Sequence, residues 1–184
     1  MRITSGTCSG IPIAAPKGNA TRPTTDKVRQ SLFNILRHAD FFDGFESAQI
    51  LDSYCGTGAL GLEALSNGAE FCYFCDKSNE ALKYTQANLE KCKMESRARV
   101  LRHDSTKAFD WGRREFDLVF LDPPYGRKFG EATMKNLLES DVLNGGSVIV
   151  LEHEIKRPDV IPPAFKIVDE REYGQTRMSF VMLA

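Results

Sequence analysis

Ala48-Gln49-Ile50-Leu51-Asp52-Ser53-Tyr54-Cys55-Gly56-Thr57-Gly58-Ala59-Leu60-Gly61 decides the fold class. Apolar residues run up to an acid, a glycine-rich turn follows, and residues that favour helix come next. G-x-G-x-x-G carries little weight as a bare string, but it gains weight between a strand and a helix. Gly56 and Gly58 are expected to let the backbone approach a ligand, and Gly61 to permit close packing of the following helix.

The same alternation continues downstream. Strands are expected near residues 48–52, 70–75, 98–103, 116–121 and 147–152, with helices near 58–66, 78–92 and 129–139. Continuous apolar strands alternating with amphipathic helices indicate a parallel sheet covered on both faces. After Pro162-Pro163, the runs Phe165-Lys166-Ile167-Val168 and Met178-Ser179-Phe180-Val181-Met182-Leu183 flank a polar segment around Gly174 and read as a closing antiparallel pair. Upstream, residues 1–20 alternate polar and apolar but are broken by Gly6, Gly10, Pro12, Pro16 and Gly18, which suggests a small hairpin or extended arm. Thr24 or Thr25 is placed to cap a helix running to about His38. Its apolar stripe is Val28, Leu32, Phe33, Ile35 and Leu36, with Arg29, Gln30 and Arg37 opposite. We expect residues 1–40 to form an N-terminal arm and helix packed on a main domain of residues 41–184, one compact unit in all.

Composition narrows the function classes. The chain has 184 residues, 42% hydrophobic and 27% charged, which suits a soluble globular domain with a real core. No apolar run approaches the roughly 20 residues a membrane helix needs. The polar start Thr4-Ser5-Gly6-Thr7 is unlike a signal peptide. Five scattered cysteines read as free thiols in a reducing compartment, so a cytoplasmic location is expected. Cys72 and Cys75 are three residues apart on a strand and should point to opposite faces. With no second pair, and no ligand spacing among His38, His103 and His153, no metal is expected. Net charge is −1, yet residues 1–40 hold Arg2, Lys17, Arg22, Lys27, Arg29 and Arg37 against Asp26 and Asp40. Arg22 and Arg29 are thus candidates for phosphate contact, although such a segment also suits a solvated face.

Acidic residues recur at the strand ends: Asp52, Asp76, Asp104 after Leu101-Arg102-His103, and Asp122. Strand ends in an open parallel sheet converge on one edge, so the four should line one crevice. Carboxylates avoid burial without a partner, which makes core packing a poor explanation for the series. A pyrophosphate would be favoured at the helix N-terminus, but Asp52 beside the loop makes that entrance unwelcoming to phosphate. A cationic nucleoside such as S-adenosylmethionine suits it better, with Asp76 placed for ribose hydroxyls and Asp104 for the adenine amino group. Asp104 also reads as a plain helix cap before Ser105.

Asp122-Pro123-Pro124-Tyr125 closes the apolar run Phe116-Asp117-Leu118-Val119-Phe120-Leu121. Consecutive prolines hold a stiff turn and donate no N–H, leaving the carbonyls of Asp122 and Pro123 free to accept. Tyr125 offers a stacking face, worth roughly 1–3 kcal/mol to a base. Acceptors beside such a face suit a planar ring bearing an exocyclic amine, which would be taken out of its stack for alkyl transfer. Arg127 and Lys128 follow the turn and are candidates for phosphates beside that base, or simply a solvated helix start. Trp111 and Phe109 read as packing beneath the crevice.

Asp52 through Gly61 together with Asp122-Pro123-Pro124-Tyr125 resemble the class I S-adenosylmethionine-dependent methyltransferases that modify base amino groups. More narrowly, Arg22-Pro23-Thr24, Asp26, Val28-Arg29, Leu32-Phe33-Asn34-Ile35-Leu36, Gly56 through Leu65 and Phe120 through Tyr125 resemble the RsmD family, bacterial 16S rRNA guanine-N2 methyltransferases. The likeness extends to Tyr173-Gly174-Gln175-Thr176. Departures are Ser53-Tyr54-Cys55 where the family usually has Leu-Phe-Ala, Asp76 for a more frequent Glu, and Gln175 for a common acid. The resemblance implies a Rossmann-like fold with a seven-stranded, mostly parallel sheet, helices on both faces and the C-terminal antiparallel pair. It further implies S-adenosylmethionine held by Asp52, Tyr54, Gly56, Gly58, Asp76 and Asp104. Asp122, Pro123, Pro124 and Tyr125 would be catalytic, acting on 16S rRNA in the small subunit or an assembly intermediate. Alternatives are a DNA adenine or cytosine amino-methyltransferase, a non-catalytic RNA-binding assembly factor, and a nicotinamide-dependent dehydrogenase, the last disfavoured by Asp52.

Overall fold

A computed structural model describes residues 1–16 and 25–184. Arg22 and Thr24 lie outside the described residues. Thr25 caps the first helix, α1 (Asp26–His38), its side chain accepting from the Val28 N–H. The central sheet is built from β1 (Gln49–Ser53), β2 (Phe71–Asp76), β3 (Ala98–Arg102), β4 (Leu118–Leu121) and β5 (Val148–Glu154), with β6 (Phe165–Tyr173) and β7 (Thr176–Leu183) completing it. Helices α2 (Ala59–Ser66), α3 (Asn79–Cys92) and α4 (Phe129–Glu139) alternate with the strands.

Strand order across the sheet is β3-β2-β1-β4-β5-β7-β6. The first five are mutually parallel, and β7 runs antiparallel to both β5 and β6. Connections from β1 therefore proceed outward to β3, then the chain returns to lay β4 on the other side of β1. That reversal between β1 and β4 is the place where ligands enter sheets of this type.

Two cores flank the sheet. One joins Leu32, Phe33 and Leu36 of α1 to Ile50, Leu62, Phe74, Leu89 and Phe120. The other joins Met134 and Leu137 of α4 to Leu51, Trp111, Phe116, Val119 and Leu151. Cys72 belongs to the first and Cys75 to the second, as their spacing along a strand requires. Trp111 is packed edge-on against Phe116 at 5.2 Å and lies 4.5 Å from Phe109.

The sheet is longer at one edge than expected. β6 extends through Asp169-Glu170-Arg171-Glu172-Tyr173, a stretch polar enough to read as a loop. Charged residues are tolerated there because β6 is an edge strand, paired only with β7. A two-residue turn with Gly174 at φ +64° joins the pair.

Arg29 is the main correction to the sequence reading. It lies not on a solvated face but fully buried, its Nε donating to Glu63 at 3.2 Å and its guanidinium also pairing with Asp26 at 2.9 Å. It donates to the Arg2 carbonyl as well. A buried guanidinium engaged in this way is withheld from RNA phosphates. Glu63, equally buried within α2, also accepts from the Thr4 N–H at 2.9 and 3.0 Å and from the hydroxyls of Thr4 and Ser5 at 2.7 Å. The arm itself is a small antiparallel hairpin, with the Gly10 N–H donating to Ile3 and the Ile3 N–H to Ile11. Asn88 of α3 clasps it further on, exchanging bonds of 2.7 and 3.0 Å with the backbone of Ala14.

Removing one member of a buried ion pair strands the other charge. Glu63→Ala should therefore lower unfolding stability by about 3 kcal/mol, read as a shift in urea midpoint. Arg37→Ala, at an exposed site on the same helix as Arg29, should move the midpoint far less.

Candidate active site

The carboxyl ends of β3, β2, β1, β4 and β5 place Asp104, Asp76, Asp52, Asp122 and Glu152 in that spatial order along one edge. Four were expected. Glu152 was missed, although it closes an apolar run just as Asp52 does.

The glycine turn begins with Tyr54 at φ +63°, a region costly for a bulky side chain. Its hydroxyl shares a 2.7 Å hydrogen bond with Thr133 of α4, and its ring lies parallel to Phe129 at 6.4 Å. Lys77 Nζ sits over the other ring of that pair, 5.6 Å from the Phe129 centroid. The three glycines differ in role. A Cβ on Gly61 would fall 2.3 Å from the Phe74 ring and 2.7 Å from the Cys72 sulfur, so its absence lets α2 approach β2 as expected. A Cβ on Gly58 would meet Thr85 at 3.0 Å and Phe74 at 3.3 Å, and its φ is +77°. The missing Cβ at Gly58 thus serves the turn and the packing against Thr85 and Phe74. Gly56, with φ +55° and nothing nearer than 3.9 Å, is the glycine beside open space.

Asp52 also differs from expectation. It is 2% exposed, and its Oδ2 accepts from the Gly61 N–H at 2.8 Å. It lies beneath the loop, engaged with the first turn of α2. Burial raises its carboxyl to about 7, the nearby Asp76 adding to the rise and the Gly61 bond opposing it. Asp76 is better presented: one oxygen accepts from the Gly56 N–H at 3.1 Å and the other from the Ser78 N–H at 2.8 Å. Each oxygen keeps a further lone pair for a hydroxyl donor. Asp104 begins no helix; its Oδ1 accepts from the N–H and hydroxyl of Thr106 at 3.1 and 2.7 Å. The Thr106 hydroxyl is the main reason its carboxyl is lowered, with Lys77 and Lys107 contributing. Among the described residues, no donor reaches its Oδ2.

The β4 turn keeps its acceptors open. Pro123 is buried, Pro124 exposed, and Asp122 partly exposed. Among the described residues, no backbone donor is directed at the carbonyls of Asp122 or Pro123. Burial, then Glu152, then Asp52 push the Asp122 carboxyl well above the usual carboxylate range. Tyr125 donates its hydroxyl to Glu152 Oε1 at 2.8 Å and lies 3.4 Å from the Thr176 hydroxyl. Arg127 and Lys128 are exposed just beyond, Lys128 at φ +54° where α4 begins.

Comparison with known proteins places this geometry. The model of the family described as conserved hypothetical protein 95, the RsmD family, matches residues 1–182. The chain belongs to that family. Among relatives of the RsmD family, YlbH of Bacillus subtilis is 37% identical over 88% of either chain. The ribosomal RNA small subunit methyltransferase D of Escherichia coli is 31% identical over 95% of this chain and 86% of its own. The solved structure of yhhF from Escherichia coli superposes with a TM-score of 0.85 at 28% identity, covering 100% of this chain and 97% of that one. A methylase structure from Haemophilus influenzae gives 0.80 at 25% identity, covering 99% and 97%.

The crevice residues fit the methyl donor that the fold of this RsmD-family enzyme implies. Open space at Gly56, acceptors on Asp76 and Asp104, and a net acidic floor suit a hydroxyl-bearing, cationic nucleoside. No group of three or more metal-ligating side chains occurs among the described residues. No helix among them is long and apolar enough to cross a membrane.

The raised Asp52 carboxyl yields a sign for the pH dependence of stability. Folding favours its protonated form, so its contribution falls as pH rises from the unfolded value near 4 toward 7 and is lost above that. Asp52→Asn, whose amide oxygen still accepts from Gly61, should unfold at higher urea than the parent at pH 8. The advantage should shrink at pH 4.

Proposed function

We propose that the chain methylates the exocyclic N2 amine of a guanine in 16S rRNA, within the small ribosomal subunit or an assembly intermediate, using S-adenosylmethionine. The observation that carries this reading is the Asp122-Pro123-Pro124-Tyr125 turn, with open acceptors, at the strand-order reversal of an RsmD-family sheet. The relatives named for small-subunit rRNA methylation support the choice of substrate.

When bound, the donor supplies an activated methyl group. Asp76 would hold its ribose hydroxyls, Asp104 the adenine amine, and Gly56 would leave room for it; Tyr54 and Phe129 would flank it. Asp52 would favour its positive charge from below. A cation in the crevice lowers the carboxyls of Asp52 and Asp122, turning Asp122 into an acceptor once the donor is seated. The target guanine would leave its stack, rest on Tyr125, and direct its amine hydrogens toward the Asp122 carboxylate and the Pro123 carbonyl. Drawing those hydrogens to acceptors localises the nitrogen lone pair for attack on the methyl carbon; the methyl–sulfur bond would break as the new bond forms, the demethylated donor would leave, and the proton shed by nitrogen would pass to Asp122. Fixed dipoles and placement provide most of the rate gain, because the donor is already reactive. Arg127 and Lys128 would meet phosphates beside the flipped nucleotide.

Asp122→Ala should cut turnover by about 100-fold or more while donor affinity by calorimetry stays near that of the parent. Asp76→Ala should weaken donor binding itself. Unchanged donor affinity in Asp76→Ala would remove the ribose contact from the scheme. Substrate choice is read by offering labelled donor with DNA, deproteinised rRNA and small subunits in parallel, then identifying the labelled nucleoside. Label in N2-methylguanosine from small subunits is the expected result; label in DNA adenine or cytosine would overturn it.

A further inference from the structure

We infer that Glu152 is a positioning residue for methyl transfer, clamping the Tyr125 ring by its hydroxyl and facing Asp122 from the neighbouring strand; this rests on the function proposed above. Leu121 and Leu151 are register partners in the parallel β4 and β5 ladder, so Asp122, just past the end of β4, lies beside Glu152, which β5 still holds in the sheet against Met178 of β7. Glu152 is only 9% exposed. Its Oε1 receives the Tyr125 hydroxyl at 2.8 Å. The Thr176 hydroxyl, at the start of β7, approaches the same phenol oxygen at 3.4 Å.

A stacking platform needs only a ring, which Phe would supply without a buried carboxylate beside it. Tethering the hydroxyl from two strands fixes the plane of a ring that would otherwise turn about two torsions. The base is then presented at one angle to Asp122 and to the donor, where small misplacement costs rate. Glu152 acts on Asp122 as well. Among the described residues, the charged and titratable groups acting on Asp122 are Glu152 from β5 and Asp52 from β1, with Tyr125 on its own turn. Glu152 and Asp52 oppose ionisation of Asp122, so removing the charge at Glu152 should ease it.

Initial rates on small subunits test the clamp in the parent, Tyr125→Phe, Glu152→Ala, Glu152→Gln and the Tyr125→Phe/Glu152→Ala double variant. Affinity for S-adenosylhomocysteine serves as the check that each pocket is folded. Tyr125→Phe and Glu152→Ala should each lower kcat roughly tenfold, the value of a hydrogen bond to a charged group, with donor KM little changed. The double variant should be no worse than the poorer single, because both remove the same tether. Glu152→Gln, which can still accept the phenol hydrogen, should lose less than Glu152→Ala and shift the acidic limb of the kcat profile to lower pH. Multiplying single effects, or an unmoved limb in Glu152→Gln, would overturn the clamp. Should Glu152→Ala not fold, Tyr125→Phe and Glu152→Gln still separate a tethered ring from a free one, through the kcat loss of the first and the shifted limb of the second. A parent enzyme that labels no guanine defeats the proposed function itself, whereas an active parent with indifferent variants defeats only the role of Glu152.

Discussion

The Gly61 N–H donates to the buried carboxyl of Asp52, and the whole ligand edge is shaped around that bond. It ties the end of β1 to the first turn of α2, so the intervening loop must turn back on itself. Gly58 takes up the left-handed backbone this requires, and Gly61 brings the helix onto Phe74. The Gly56 N–H is thereby delivered to Asp76 at the end of the next strand. One buried acceptor thus sets the heights of two strand ends and a helix. Burial holds so deeply placed an acid partly neutral, and a cation above it would restore its charge. The feature that organises the loop therefore also makes it responsive to the charge of what enters.

The helix formed by this turn carries a second buried acid, Glu63, half a turn beyond Gly61. Glu63 gathers Thr4, Ser5 and Arg29, so the N-terminal hairpin and α1 are fastened to the element that shapes the ligand loop. Asn88 adds a third attachment, bonding both Ala14 and the Thr57 carbonyl inside the loop. Arm and cofactor crevice are mechanically continuous through these side chains. Arg29, which composition groups with a basic RNA-binding appendage, is a member of this brace.

Much of this could be read from the chain because strand ends, glycine spacing and apolar runs are local signals. The parallel sheet, the C-terminal hairpin, and the row of Asp104, Asp76, Asp52 and Asp122 follow from them directly. What escaped was set by long-range partners. Arg29 stands opposite an apolar stripe and reads as solvent-facing; its partner Glu63 is far away in sequence. The hint was Glu63 itself, one acid within Leu60-Gly61-Leu62-Glu63-Ala64-Leu65, which could not be buried alone. The packing of Gly58 against Thr85 and the burial of Asp52 beneath the loop also escaped, because motif spacing does not say which way a residue faces. Phe129 gave no signal, since a ring opening an amphipathic helix is ordinary. Glu152 had one, an acid closing the fifth apolar strand, and it was overlooked for lack of a glycine or proline beside it.

The insertion of β7 between β5 and β6 has a consequence for biogenesis. While the chain is being made, β6 emerges before the strand that must separate it from β5. A nascent chain with β6 but without β7 has an unfilled slot beside β5, its backbone N–H and C=O groups exposed. Thr176, which approaches the Tyr125 hydroxyl, arrives with that wedge. The Asp122–Tyr125 turn therefore gains its contact with Thr176 only after β7 has filled the slot beside β5.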